Sequence, residues 1–217
     1  MGSKYKTTFP LIKLVQWIGS FFLGKEQSFY EKEPEAYERI IHSVVKRYDL
    51  AKEISKIIND TFPQKKFDFI LDTACGTGII TEELAKKISL SGKTYGVDLS
   101  QTAIEYAKKK RLSDIVFLQG DFHEMPFVRN ESIDLYHMFG GYRFVNPRLF
   151  WNEVHRVLTL GGIALVTHSW PDMNKRQLQE AIQICHNLGL KTEIRKIHAK
   201  GLINKLTTRE LLIVIKN

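Results

Sequence analysis

The sequence predicts an open, mostly parallel α/β sheet, and three observations carry that expectation. Short apolar runs alternate with amphipathic ones through the middle of the chain. A glycine pair, Gly76 and Gly78, falls where the first apolar run gives way to the first amphipathic stretch after it. The length, 217 residues and 25.1 kDa, suits one domain or one domain with a small appendage.

Taken in order, two helical stretches open the series, near 34–47 and 50–60. Phe67–Asp72 is short and apolar enough for a buried strand, and the amphipathic Ile79–Ile88 reads as a helix. Lys93–Asp98 is a strand, Gln101–Lys110 a helix and Ile115–Gln119 a strand. Ile133–Met138 is a strand, Pro147–Leu158 a helix, Gly162–His168 a strand and Lys175–Leu188 a helix. The tail breaks the rhythm. Leu190–His198 and Arg209–Ile215 both look like strands with only a glycine-containing connection between them, which predicts an antiparallel hairpin at the end of the sheet.

Composition narrows the class further. With 43% hydrophobic and 26% charged residues, whole-chain disorder, collagen and coiled coil are excluded. Cys75 and Cys185 are too few for a disulfide framework or a four-cysteine zinc site, so a reducing, cytosolic compartment is expected. The net charge of +8 sits at the two ends: residues 1–30 carry +3, residues 173–217 carry +6, and 31–172 carry −1. Basic ends on a near-neutral body suit an anionic neighbour, a membrane face or nucleic acid, and equally suit solubility alone.

Between Phe9 and Leu23, Leu11, Leu14, Val15, Ile18 and Phe22 keep helical spacing, opposite Lys13, Gln16, Ser20 and Gly24. A bilayer span needs about 20 apolar residues, and this stretch is shorter. Lys13 interrupts it and no small-x-small site follows, against a signal peptide; Lys6 breaks the myristoylation pattern. Two readings stand. One is a lid packed on the domain. The other is an interfacial helix, with Trp17, Phe21 and Phe22 dipping into lipid and Lys4, Lys6, Lys13 and Lys25 facing headgroups. The membrane reading expects the full chain to sediment with anionic liposomes and a chain beginning at Glu31 to do so less. Equal, negligible sedimentation of both would leave the lid.

The chemistry is carried by Ile70-Leu71-Asp72-Thr73-Ala74-Cys75-Gly76-Thr77-Gly78, at the handover from first strand to helix. Ligands in open α/β sheets bind at the carboxyl ends of strands, where glycines let them approach the backbone. Asp98 ends the second strand, 22 residues after Gly76, where an acid chelates ribose hydroxyls. Asp121 follows the third strand and is placed to accept from a purine's exocyclic amine. Each acid alone could be a cap or turn residue. Three strand ends in sequence point to a nucleoside-containing cofactor. Thr81 stands where a nicotinamide fingerprint needs its third glycine, and no Gly-Lys-Ser/Thr is present. The loop holds no Lys or Arg to offset a phosphate, so the acids suit a cofactor that is itself cationic.

These segments resemble class I S-adenosylmethionine-dependent methyltransferases over residues about 36–217. Leu71–Gly78 resembles their first motif, Gly96-Val97-Asp98-Leu99-Ser100 the ribose-binding strand end, and Gly120-Asp121-Phe122 with Met125-Pro126-Phe127 the adenine-side motif. His155-Arg156-Val157-Leu158 through Leu160-Gly161-Gly162 is similar to the helix and turn before the fifth strand. The resemblance implies a Rossmann-like seven-stranded sheet, the last strand antiparallel, with helices on both faces. It leaves 1–35 as an amino-terminal helix or lid ahead of the methyltransferase domain. The cofactor set it implies is Tyr48, Asp72, Ala74, Cys75, Gly76, Thr77, Gly78, Asp98, Leu99, Asp121, Phe122 and Phe139.

More narrowly, His42-Ser43-Val44 with Tyr48-Asp49-Leu50, and Gly141-x-Arg143-x-Val145, look like the ubiquinone/menaquinone-biosynthesis C-methyltransferases, which methylate a polyprenylated quinol ring. The chain departs from them at Phe144, where they favour Asn, in the shorter segment from Tyr48 to Leu71, and at Thr167-His168-Ser169-Trp170.

Methyl transfer from a sulfonium is an in-line displacement, so holding nucleophile, methyl carbon and sulfur in line is the main task. A base is needed only if the nucleophile must lose a proton. The candidates are His137, Tyr142, Arg143 and His168 at the fourth and fifth strand ends, with His123 a weaker one. By the quinol-type resemblance Arg143 would stabilise a phenolate-like oxygen. Cys75 reads as a packing residue, and no His/Cys/Asp cluster has metal-ligand spacing. The leading expectation is an S-adenosylmethionine-dependent methyltransferase for a small or lipophilic acceptor. An RNA methyltransferase would use the basic end, but no RNA-binding module accompanies it. A cofactor-less methyltransferase-like binding protein is opposed by the intact glycines and acids.

Overall fold

Side chains alternate between the two faces of a strand, and in the central strands of this sheet both faces are buried. The computed structural model describes residues 32–39, 50–88, 92–167, 175–200 and 206–217. Residues 34–39 are helical. The elements that follow are α1 (Leu50–Thr61), β1 (Phe69–Thr73), α2 (Ile79–Lys87), β2 (Lys93–Asp98), α3 (Gln101–Lys110), β3 (Val116–Gln119) and β4 (Ile133–Phe139). Then come α4 (Pro147–Val157), β5 (Leu158–Thr167), α5 (Lys175–Asn187), β6 (Leu190–Lys200) and β7 (Leu206–Lys216).

All seven strands form one sheet in the order β3-β2-β1-β4-β5-β7-β6. The ladders from β3 to β5 are parallel, and β7 is antiparallel to both β5 and β6. The expected terminal hairpin is therefore present, with β7 inside and β6 at the edge. From β1 the chain steps outward to β3, then crosses back to add β4 on the other side of β1. That reversal opens a crevice at the carboxyl ends of β1 and β4, the place where such sheets bind ligands.

Along β1, Ile70 faces one core and Leu71 the other. The first core packs Ile54 and Ile58 of α1 and Ile80 and Leu84 of α2 onto the sheet. The second packs Phe150, Trp151 and Val154 of α4 and Ala181 and Cys185 of α5. Helices thus cover both faces. A smaller cluster joins Ile104 and Ala107 of α3 to Phe117 and Cys75, which braces the glycine loop from behind.

Several boundaries differ from the sequence expectation for visible reasons. Phe67 is buried but lies before β1, because the amides of Asp68 and Phe69 are taken by the Asp134 carboxylate at 3.1 and 3.0 Å rather than by a strand. Strand β5 starts at Leu158, directly after α4 and ahead of the expected Gly162. Its pairing with β4 shifts register between Ile133 and Leu135, an irregularity that spans Gly161 at φ 72°. Both hairpin strands run longer than expected, pairing as far as Lys200 with Leu206. Among the described residues no helix is long and apolar enough to cross a membrane, and the stretch 9–23 lies outside them.

Candidate cofactor and methyl-transfer site

The loop after β1 turns sharply through three left-handed residues, Ala74 (φ 52°), Gly76 (φ 54°) and Gly78 (φ 72°). Side chains disfavour that conformation, and Gly78 has a second constraint. A Cβ there would lie 2.5 Å from the Phe117 ring, so only glycine lets α2 start against β3 and α3. The loop is held by its backbone: Cys75 N donates to Val97 O (3.1 Å) and Gly78 N to Cys75 O (2.9 Å). Gly76 N donates to Asp98 Oδ2 at 2.8 Å.

Asp98 is buried at the end of β2, and its other oxygen accepts from Ser100 N at 2.9 Å. One carboxylate therefore ties the glycine loop to the turn that starts α3, where Ser100 caps the helix through Ala103 N. Leu99 is exposed beside it. Asp121 follows β3, with its side chain about half exposed (47%). Phe122 is buried behind it, and Gly120 lets the half-exposed Phe127 ring pack close, since a Cβ would meet that ring at 2.6 Å.

Asp72 sits beneath the loop rather than on it. It is the register partner of His137 across β1 and β4. Its Oδ1 lies 2.6 Å from His137 Nδ1, and its Oδ2 accepts from Thr81 Oγ1 at 2.6 Å. His137 is fully buried, and its Nε2 has no hydrogen-bond partner among the described residues. Phe139, not His137, ends β4. Arg143 lies in the 3₁₀ turn Tyr142–Phe144, on the connection from β4 to α4; its side chain is outside the described set. Tyr142 is buried with its hydroxyl accepting from Trp151 Nε1 at 3.0 Å, so it is engaged in the core. Tyr48 and His168 lie outside the described residues.

The fold adds groups that the sequence reading did not assemble. Arg111, just past α3, donates through Nε to Thr77 O at 2.9 Å and pairs with Glu38 and, at 3.5 Å, Glu82. A cation thus does reach the back of the loop, and two carboxylates neutralise it. Tyr37, one residue before Glu38, lies over Gly76: a Cβ on that glycine would be 3.4 Å from the tyrosine ring. Burial pushes the Tyr37 hydroxyl well up, and the charge of Asp98 adds to it. No local sequence signal marks these contacts. His123 bridges the Asp121 turn to Asn146, at 2.7 Å from Asp121 Oδ1 and 2.9 Å from Asn146 N.

The thiols are placed for packing. Burial pushes Cys75 well above the ordinary range, with the charges of Asp98 and Asp72 adding to it, and burial pushes Cys185 up to about 12. A disulfide-exchange reagent needs thiolate. At pH 8 the native protein is expected to react with neither cysteine, and urea unfolding should release both; fast native labelling of Cys75 would contradict its place in the core.

Comparison with known proteins agrees with this geometry. The family described as a methyltransferase domain matches residues 70–162. A demethylmenaquinone methyltransferase from Staphylococcus carnosus is 28% identical over 144 residues, 61% of this chain and 60% of that protein. A demethylmenaquinone methyltransferase from Thermotoga maritima is 30% identical over 147 residues, 64% of this chain and 63% of that one. The chain thus spans about three fifths of the length of the curated relatives it matches. Among solved structures, a TehB-like S-adenosylmethionine-dependent methyltransferase from Corynebacterium glutamicum superposes with TM-score 0.64 at 18% identity, over 88% of this chain and 99% of that one, which shows the shared fold. Domain, relatives and fold agree: the chain carries a methyltransferase domain and is similar to the class I S-adenosylmethionine-dependent methyltransferases, whose fold it shares.

Proposed function

We propose that the chain transfers the methyl group of S-adenosylmethionine to a small or lipophilic acceptor, with a quinol-like aromatic ring as the favoured class. The observation that carries the reading is the row of Gly76, Asp98 and Asp121 at three strand ends beside the switch point between β1 and β4. The donor set fits this cofactor. Carboxylates suit ribose hydroxyls and a purine amine, and the cation behind the loop is already neutralised by Glu38 and Glu82. When bound, the cofactor supplies an electrophilic methyl carbon on a cationic sulfur.

Asp98 would accept from the ribose and Asp121 from the amine, while Gly76 and Gly78 let the loop make the left-handed turn that carries its backbone past the strand end. Holding the reactants in line can supply about 7–11 kcal/mol of the barrier. On the acceptor side, Arg143 would stabilise a phenolate-like oxygen and so activate the ring carbon. The proton displaced from that carbon would pass to a base, for which His137 and His168 are the candidates. Asp72 holds His137 at Nδ1, which leaves Nε2 to accept, from beneath the strand end. Phe144, in the same turn as Arg143, and Leu149, in the first turn of α4, are each 54% exposed and would give the acceptor side an apolar rim. The names of the relatives favour a quinol ring. Such acceptors reside in membranes, and residues 9–23 would bring a cytoplasmic enzyme to that surface.

The test is calorimetry of the full chain with S-adenosylmethionine, then transfer of a labelled methyl group to demethylmenaquinol in micelles or to total RNA. Label in the quinol supports the reading. Label in RNA would replace the acceptor class, and absence of cofactor binding would leave a binding protein.

A further inference from the structure

His123 makes more specific contacts than a loop histidine requires. Asp121 opens a tight turn closed by Glu124 N donating to Asp121 O at 3.1 Å. Within it, Asp121 Oδ1 accepts from His123 N at 2.9 Å and lies 2.7 Å from His123 Nδ1. The ring's other nitrogen, Nε2, accepts from Asn146 N at 2.9 Å. A backbone N–H can only donate, so Nε2 is the bare nitrogen and the hydrogen sits on Nδ1, directed at the carboxylate. The ring is mostly covered, at 18% exposure, and packs 4.5 Å from the Phe122 ring.

We propose that His123 is a positioning residue that fixes the Asp121 carboxylate for the purine amine of the cofactor and ties that turn to the acceptor-side connection. The inference rests on the S-adenosylmethionine reading of the site. Asp121 is about half exposed, and a carboxylate so placed would otherwise spread over several rotamers. Both contacts fall on Oδ1, and Oδ2 takes no part in them. The far anchor is equally specific. Asn146 caps α4 through Leu149 N (3.3 Å) and ends the connection that carries Tyr142 and Arg143. One imidazole therefore spans from the adenine-side turn to the start of the helix that follows the acceptor-side turn.

The experiment compares S-adenosylhomocysteine with its inosine counterpart, which has a carbonyl where adenine has the amine. Losing one hydrogen bond to a charged group is worth about 10- to 100-fold in affinity, so the wild type is expected to prefer the adenosine form by about that factor. His123→Phe keeps a ring against Phe122 and removes both bonds. It should lose most of that preference while binding the inosine form nearly as well as wild type. In an Asp121→Ala background the same substitution should add little. Side-chain ¹⁵N spectra of the wild type should show the hydrogen on Nδ1. An equal loss for both ligands in His123→Phe, an unchanged preference, or a hydrogen on Nε2 would overturn the proposal, and matched urea midpoints exclude misfolding as the cause. A wild type that binds neither ligand would instead refute the cofactor reading beneath it.

Discussion

Asp98→Ala is expected to weaken S-adenosylmethionine binding by about 10- to 100-fold, the cost of losing hydrogen bonds to a charged group. The structure adds a second consequence. Asp98 accepts from Gly76 N and Ser100 N, so alanine strands two amides in a buried setting as well as the ribose hydroxyls. Leaving such a donor unsatisfied costs about 1–3 kcal/mol, and the urea midpoint should fall along with affinity. Asp98→Asn separates the two effects. It keeps the volume and one acceptor oxygen, but its NH₂ cannot accept from the other amide. Its stability should therefore lie between wild type and alanine, with affinity still clearly reduced. Wild-type affinity in a well-folded Asp98→Ala protein would remove the ribose assignment and with it the centre of the site.

That Asp98 could be found in the sequence follows from a local rule: an acid at the end of the second strand, at a fixed remove from a glycine turn. The same kind of rule located β2 and α3, where apolar alternation is cut short by Asp98 and started again by the Ser100 cap. Rules of this kind fail where pairing partners decide the boundary. Strand β5 begins at Leu158 because the carboxyl end of α4 runs straight into the β4 ladder, and the irregularity near Gly161 absorbs the mismatch. The sequence places His137 near the end of the fourth strand but carries no sign of its partner across the sheet. The strand continues to Phe139, and Asp72 is its register partner, so the imidazole is drawn under the loop. Arg111 was hidden for another reason. Its position just past α3 is readable, but its partners Thr77 and Glu38 lie 34 and 73 residues away, and no periodicity encodes such a contact.

Arg111→Met should be among the most destabilising single changes in the domain. The guanidinium and the Glu38 carboxylate are both nearly covered, with 8% and 7% of their side-chain surface exposed. Breaking a nearly covered ion pair by removing one member typically costs about 3–5 kcal/mol. The loss should appear as a lower urea midpoint. Glu38→Gln removes the opposite charge and should cost less, since an amide is cheaper to bury than a carboxylate. Combining the two should recover part of the Arg111→Met loss, because the residues are in direct contact and their effects do not add. Cofactor binding should respond as well. Arg111 holds Thr77 O of the glycine loop, and Glu38 sets the helical residues that lay Tyr37 over Gly76. The single variant is thus expected to weaken S-adenosylmethionine binding even at temperatures where it stays folded, with the double variant intermediate. A change within about 0.5 kcal/mol, the scale of an ordinary surface substitution, would show that the pair does not clamp this segment to the loop.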